Sequence, residues 1–255
     1  MTPAEWEKIC DQVTDAMLVH TKPFVSPLSS ETDEEVRLIG TGTFVQGSKL
    51  RILTCEHVAR EQPIHFRFKG SDRVFLQDAP WTSEKNPIDA AFSELKKCHW
   101  NACNHQSNAI PLNRFARSHA TSSQAELLFF HGYAGENAAH AFGVHNANGT
   151  GYCTQEKKDS GDAEIFELFW EPENTQLSSG TPSSAGRQML FEVAGGFSGS
   201  LVWNTRYVEV TSLGREWTPD DAVVTGLLRR WDEKTKTLLV WRAERFLEWL
   251  LKNQA

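Results

Sequence analysis

The chain has 255 residues, enough for one or two domains with a sizeable core. Its 40% apolar and 23% charged residues give the balance of a soluble globular protein, not of a disordered chain. A formal charge of −7 argues against a dedicated nucleic-acid binder, and no stretch approaches the ~20 apolar residues of a membrane span.

The chain opens on a helix signal. Thr2 and Glu5 are spaced as a capping box, Pro3 takes the first helical position, and Trp6, Ile9, Cys10, Val13 and Met17 repeat on one face. This helix is expected to dock on the domain that follows. The alternative is a helix that binds a regulatory partner or inhibits the domain. Glu5, Glu7, Asp11 and Asp15 stand where a signal peptide would carry basic and then apolar residues, so a cytoplasmic protein is expected. The five cysteines (10, 55, 98, 103 and 153) include no C-x-x-C pair and are read as free thiols.

Residues 21–34 are rich in Pro and Ser and read as a linker. Short apolar runs then recur with turn residues between them. They are Val36–Gln46, Lys49–Thr54, Ile64–Phe68, Val74–Leu76 and Ala90–Leu95 before a polar stretch at Arg117–Gln124. After it come Leu127–Phe130, His140–His145, Gly151–Thr154, Ile165–Trp170, Leu190–Val193, Leu201–Trp203, Ala222–Leu228 and Leu238–Trp241. Many short strands at this spacing predict an all-β barrel or sandwich. Asn148-Gly149 carries a hairpin signal, Glu171–Arg187 is a long polar loop, and Ala243, Phe246, Leu247, Leu250 and Leu251 mark a C-terminal helix.

Three segments carry residues with chemistry: L-T-C-E-H-V at Leu53–Val58, N-P-I-D-A-A-F at Asn86–Phe92, and A-G-G-F-S-G-S-L-V-W at Ala194–Trp203. A serine hydroxyl attacks carbonyls poorly until a base takes its proton, and histidine titrates in the useful range. A carboxylate behind the imidazole fixes its tautomer, and glycine before the serine permits a turn that aims backbone N–H groups at an oxyanion.

These segments resemble the trypsin-like serine peptidase family, whose motifs read L-T-A-A-H-C, D-I-A-L and G-D-S-G-G. The order His57, Asp89, Ser198 agrees with that family. G-T-G-T-F at Gly40–Phe44 and L-L-F-F-H-G-Y-A-G at Leu127–Gly135 resemble its flanking strands, so the resemblance spans about residues 35–240 in short motifs. It implies two six-stranded antiparallel Greek-key barrels with a helix at each end. Residues 1–34 would form the helix and linker, 35–118 the barrel with His57 and Asp89, 119–241 the barrel with Ser198, and 242–255 the last helix. It further implies a serine endopeptidase acting on protein or peptide without metal or organic cofactor. Ser198 would be nucleophile, His57 base, Asp89 orienter, and the Gly196 and Ser198 amides the oxyanion donors. An inactive protein-binding module and an esterase are the alternatives.

The chain departs from the family in places. Phe197 occupies the position of the aspartate that pairs with a new N-terminus in zymogen activation, a pattern that resembles the bacterial and viral branch. Glu192 falls where the family places the floor of its S1 pocket, and Arg229, Arg230 and Trp231 replace small residues of the strand that lines substrate. Cys98, His99, Cys103 and His105 are metal-ligating types, but their spacing matches no common zinc module, and an exposed loop is expected there.

Overall fold

The structure, a computed structural model, describes residues 2–31, 36–141, 144–157, 162–170, 176–177, 196–232 and 234–253. Helix α1 (Pro3–Thr21) has the expected capping box: the Thr2 amide donates to Glu5 Oε2 at 2.6 Å and the Glu5 amide to Thr2 Oγ1 at 3.3 Å. Its Val13, Met17 and Leu18 are buried, with Leu18 against Gly151 of the second sheet. The helix therefore docks, with its main contact on the second sheet.

The linker expectation is corrected over residues 21–31, and its last three residues lie outside the described ones. Lys22–Phe24 is a 3₁₀ turn and Val25–Glu31 is strand β1, paired on both edges within the first sheet. Its polar composition hides it: Ser26, fully buried, donates to the Arg67 carbonyl at 2.8 Å and accepts from the Arg67 amide at 3.0 Å. Pro27, which has no N–H for a ladder, sits beside the register shift between Leu28 and Ser29.

The rest of the first sheet comprises β2 (Val36–Gln46), β3 (Leu50–Thr54), β4 (Ile64–Arg67), β5 (Val74–Leu76), β6 (Trp81–Glu84), β7 (Ala90–Glu94) and β8 (Ile110–Pro111). Its order is β5-β4-β1-β2-β3-β7-β6, with β8 parallel to β2. Short helices α2 (Glu56–Ala59) and α3 (Lys97–Trp100) follow β3 and β7. The second sheet comprises β9 (Leu128–Ala141), β10 (Val144–Thr154), β11 (Glu156–Lys157), β12 (Ile165–Phe169), β13 (Gln176–Leu177), β14 (Leu201–Asn204), β15 (Val223–Asp232) and β16 (Thr237–Arg242). Its order is β11-β12-β16-β15-β14-β9-β10-β13. Helix α4 (Tyr207–Ser212) follows β14, and α5 (Ala243–Lys252) ends the chain.

The architecture is all-β, two curled antiparallel sheets with a helix at each end, as a two-barrel fold requires. Each sheet holds eight strands where six are expected; β8, β11 and β13 are two-residue additions. The Asn148-Gly149 signal is not a turn. It lies inside β10, where the register shifts between Ala147 and Gly149, and a Cβ on Gly149 would lie 2.5 Å from His131 Nε2.

The central strands of the second sheet, such as β14 and β16, are buried on both faces. Leu128, Phe130, Val202, Leu228 and Val240 fill the sheet's own core, while Phe129, Trp203, Leu227 and Trp241 join the larger cluster shared with the first sheet and both terminal helices. This double burial explains why those strands read as continuous apolar runs rather than as alternation. Helix α5 seals the junction, with Phe246 against Phe115 (6.0 Å between rings) and Trp249 against Phe92 (5.2 Å).

One buried group makes stability depend on pH. The His131 ring is 2% exposed and bonds Thr21 Oγ1 at 3.1 Å; since that hydroxyl donates to the Met17 carbonyl, Nδ1–H is the donor. Burial, aided by Lys22 and Lys69, pushes its pKa down from 6.5 to about 3. Between those values the unfolded chain binds a proton and the folded chain does not. The contribution is full above 6.5 and is lost as pH falls toward 3, by at most about 1.4 kcal/mol per pH unit. Urea unfolding between pH 7 and pH 4 is expected to show a shallower acid slope for His131→Gln than for the wild type. Equal slopes would show that His131 is not the responsible group.

Candidate active site

His57 is presented by the single turn of α2, immediately after β3. Asp89 precedes β7, the neighbour of β3 in the sheet, so strand pairing brings the two together. The contact is threefold: His57 Nδ1 lies 2.9 Å from Asp89 Oδ2 and 3.2 Å from Oδ1, and the His57 amide donates to Oδ1 at 3.1 Å. Asp89 is 6% exposed and has φ 39°, a left-handed conformation that Asp tolerates better than most residues but that still carries strain. Burial opposes its charge, yet the His57 hydrogen bonds and the Arg229 guanidinium outweigh burial and hold the carboxyl below its usual range.

Ser198 sits on a turn between two left-handed glycines, Gly196 (φ 96°) and Gly199 (φ 91°). Three anchors fix this turn. The Thr41 amide donates to the Ser198 carbonyl at 2.9 Å, and Thr41 Oγ1, which also accepts from the Tyr133 amide, donates to the Gly196 carbonyl at 3.0 Å. The Gly199 amide donates to the Leu228 carbonyl at 2.9 Å. Phe197 points into the second sheet's core, fully buried against Phe130 (5.2 Å) and Trp170 (5.5 Å). An apolar anchor thus holds the turn where an aspartate would need an ionic partner. The Gly196 and Ser198 amides have no acceptor among the described residues.

Arg229, on β15, links the two halves. Its Nε donates to Asp89 Oδ2 at 3.3 Å, and its carbonyl accepts the Ser198 hydroxyl at 2.8 Å. No hydrogen bond joins Ser198 Oγ to His57; the hydroxyl is turned to the backbone instead. Arg229 is therefore not a free lining cation, and Trp231 packs against the second sheet's core. Arg230 is exposed and faces a cleft of about 310 Å³ beside His57. Glu192 lies outside the described residues. Thr41 carries a role that the sequence did not assign; the signal was its place between two glycines in G-T-G-T-F.

Cys55, His57 and Asp89 place donor atoms within 4.8 Å of one another. Burial pushes the Cys55 thiol up, which disfavours the thiolate a metal needs, and Sγ donates to the Leu228 carbonyl at 3.3 Å. These residues fit a hydrogen-bonded chain better than a metal cage. The Cys98–His105 segment is dispersed: Cys103 meets Ser71 Oγ at 3.4 Å, His105 stacks on Phe68 and bonds the Trp100 carbonyl, and Cys98 is exposed. All five cysteines are unpaired.

No protein-family model matches the chain, and no curated protein matches it in sequence. Solved structures do match. The active form of the Rv3671c protease from M. tuberculosis superposes with a TM-score of 0.53 at 17% identity, over 96% of this chain and 86% of that one. The fold is that of the chymotrypsin-like serine proteases. Neuropsin, a serine protease of mouse brain, gives 0.52 at 13% identity over 92% and 96% of the two chains. Tobacco etch virus protease, complexed with product, gives 0.50 at 10% over 93% and 80%. Among the described residues, no helix is long and apolar enough to cross a membrane.

Proposed function

We propose that the chain is a serine endopeptidase that cleaves protein or peptide through an acyl-enzyme on Ser198. The observation that carries this reading is the Asp89–His57 pair and, linked to it through Arg229, a serine on a turn between two left-handed glycines. His57 takes the Ser198 proton as Oγ bonds to the carbonyl carbon, then gives it to the leaving amine as the C–N bond breaks. Water then enters by the reverse proton path and frees the acid. The Gly196 and Ser198 amides supply the oxyanion donors. Phe197, buried and uncharged, supports a branch that matures without N-terminal pairing. The five free thiols support a reducing, cytoplasmic setting.

In this scheme the Ser198 hydroxyl leaves the Arg229 carbonyl and turns to His57 when substrate arrives; catalytic hydrogen bonds are often unformed without substrate. That same contact favours a second reading, a protein-binding module that never makes the turn. A fluorophosphonate probe separates them. The folded wild type is expected to gain a covalent adduct on the Ser198 peptide, read by mass spectrometry, and Ser198→Ala and His57→Ala are expected to gain none. An unlabelled wild type would leave the binding module.

A further inference from the structure

The cleft beside His57 carries charge that the triad does not use. Its two carboxylates are committed. Asp89 is held by His57 and Arg229, and Glu56, almost buried, pairs with Arg60 at 2.9 Å. Lys85, from the turn before β7, and Arg230, from β15, line the same cleft. Both are exposed, and neither has a carboxylate partner among the described residues. Four cations against two carboxylates leave a surplus of two positive charges in one cleft, on a chain whose net charge is −7. The surplus is thus local and is not a by-product of composition. The two free cations come from different sheets and converge beside the imidazole. Ser198 adjoins this cleft through Arg229, one of its lining residues, whose carbonyl accepts the Ser198 hydroxyl.

We propose that this cleft is a specificity subsite for an acidic side chain, Asp or Glu, close to the scissile bond of the substrate peptide. The inference rests on the peptidase reading for its location, but binding alone tests it. Lys85 and Arg230 would supply the counter-charge, steering acidic segments in and disfavouring basic ones through like-charge repulsion. Exposed pairs of this kind are individually modest, so the preference is set by both together and weakens as salt shortens the reach of the field.

The test uses immobilised Ser198→Ala protein and a random octapeptide library at low ionic strength, with retained peptides sequenced. Asp and Glu are expected to be enriched roughly tenfold over Asn and Gln at one library position. The enrichment should shrink several-fold at ten times the salt. The added charge reversal Lys85→Glu with Arg230→Glu is expected to abolish acid enrichment and favour Lys or Arg. Thermal unfolding of that protein checks that it remains folded. Retention indifferent to charge, or acid enrichment unchanged by the reversal, overturns the subsite. Fluorophosphonate labelling of the wild type is read in parallel. Labelling without acid enrichment leaves the peptidase and removes the subsite; acid enrichment without labelling does the opposite.

Discussion

Replacing Ser198 with alanine is expected to lower kcat for any cleaved peptide by about 10⁴- to 10⁶-fold, and His57→Ala by a similar factor. The double variant should be hardly worse than either single one, because the two residues act as one unit. Asp89→Asn is the sharper test, with an expected loss of about 10⁴-fold and little loss of fold. The reason lies in how one carboxylate serves two groups. Oδ1 accepts the His57 backbone amide, and Oδ2 faces Nδ1 at 2.9 Å. An asparagine must keep its oxygen on the backbone amide, so its NH₂ faces Nδ1. Nδ1 then becomes an acceptor, the proton sits on Nε2, and the base toward Ser198 is lost. Arg229→Met removes one donor from Asp89 but leaves the carbonyl that holds Ser198, and about a tenfold loss is expected. Steady-state kinetics on one fluorogenic peptide measures the series. An Asp89→Asn enzyme within tenfold of wild type would remove Asp89 from the orienting role.

The parts of this site that sequence reveals are those fixed by local pattern. Histidine after one apolar strand, aspartate opening another, and serine in a glycine turn are legible as local patterns: the strands that carry the first two pair, and the left-handed turn requires its glycines. Several strands of the second sheet are legible too, since burial on both faces writes itself as unbroken apolar runs such as Leu201–Trp203 and Leu238–Trp241, whereas the Leu190–Val193 expectation lies outside the described residues. Strand β1 was not, because buried hydroxyls such as that of Ser26 satisfy their own hydrogen bonds, and a composition of Pro and Ser gives no hint of that pairing. Asn148-Gly149 misled for a related reason: the glycine answers the approach of the His131 ring, not a reversal of the chain. Nor does sequence say where a long side chain ends. Arg229 and Arg230 are adjacent on β15, yet one turns in to Asp89 and the other faces the open cleft. Lys85 joins that cleft from a turn 145 residues earlier than Arg230, a convergence only the fold can make.

Gly199→Ala is expected to damage both the fold and the catalyst. Gly199 has φ 91°, and an added Cβ would lie 2.2 Å from the Thr41 carbonyl oxygen and 2.3 Å from Thr54 Oγ1. Neither neighbour can yield cheaply. The Thr41 carbonyl belongs to β2 and accepts the Thr54 hydroxyl at 2.9 Å, so both are fixed by the first sheet. The glycine's own amide is held by the Leu228 carbonyl of the second. The turn must therefore move as a whole. Backbone strain of about 1–3 kcal/mol and crowding of similar size sum to several kcal/mol, or roughly 2–4 °C in Tm for each kcal/mol in a chain of this length. Gly214→Ala provides the comparison. Gly214 has φ 70° with nothing within 4 Å of its would-be Cβ, so it pays for strain without crowding. If the two variants melt together, crowding at Gly199 is not what that glycine relieves. If Gly199→Ala melts several degrees lower and its surviving folded fraction also cleaves peptide at least tenfold more slowly, the close approach of the two sheets at Thr41 is what places the Ser198 hydroxyl and its neighbouring amides. In that case the nucleophile's position is a property of the junction between the sheets, and not of the G-F-S-G-S segment alone.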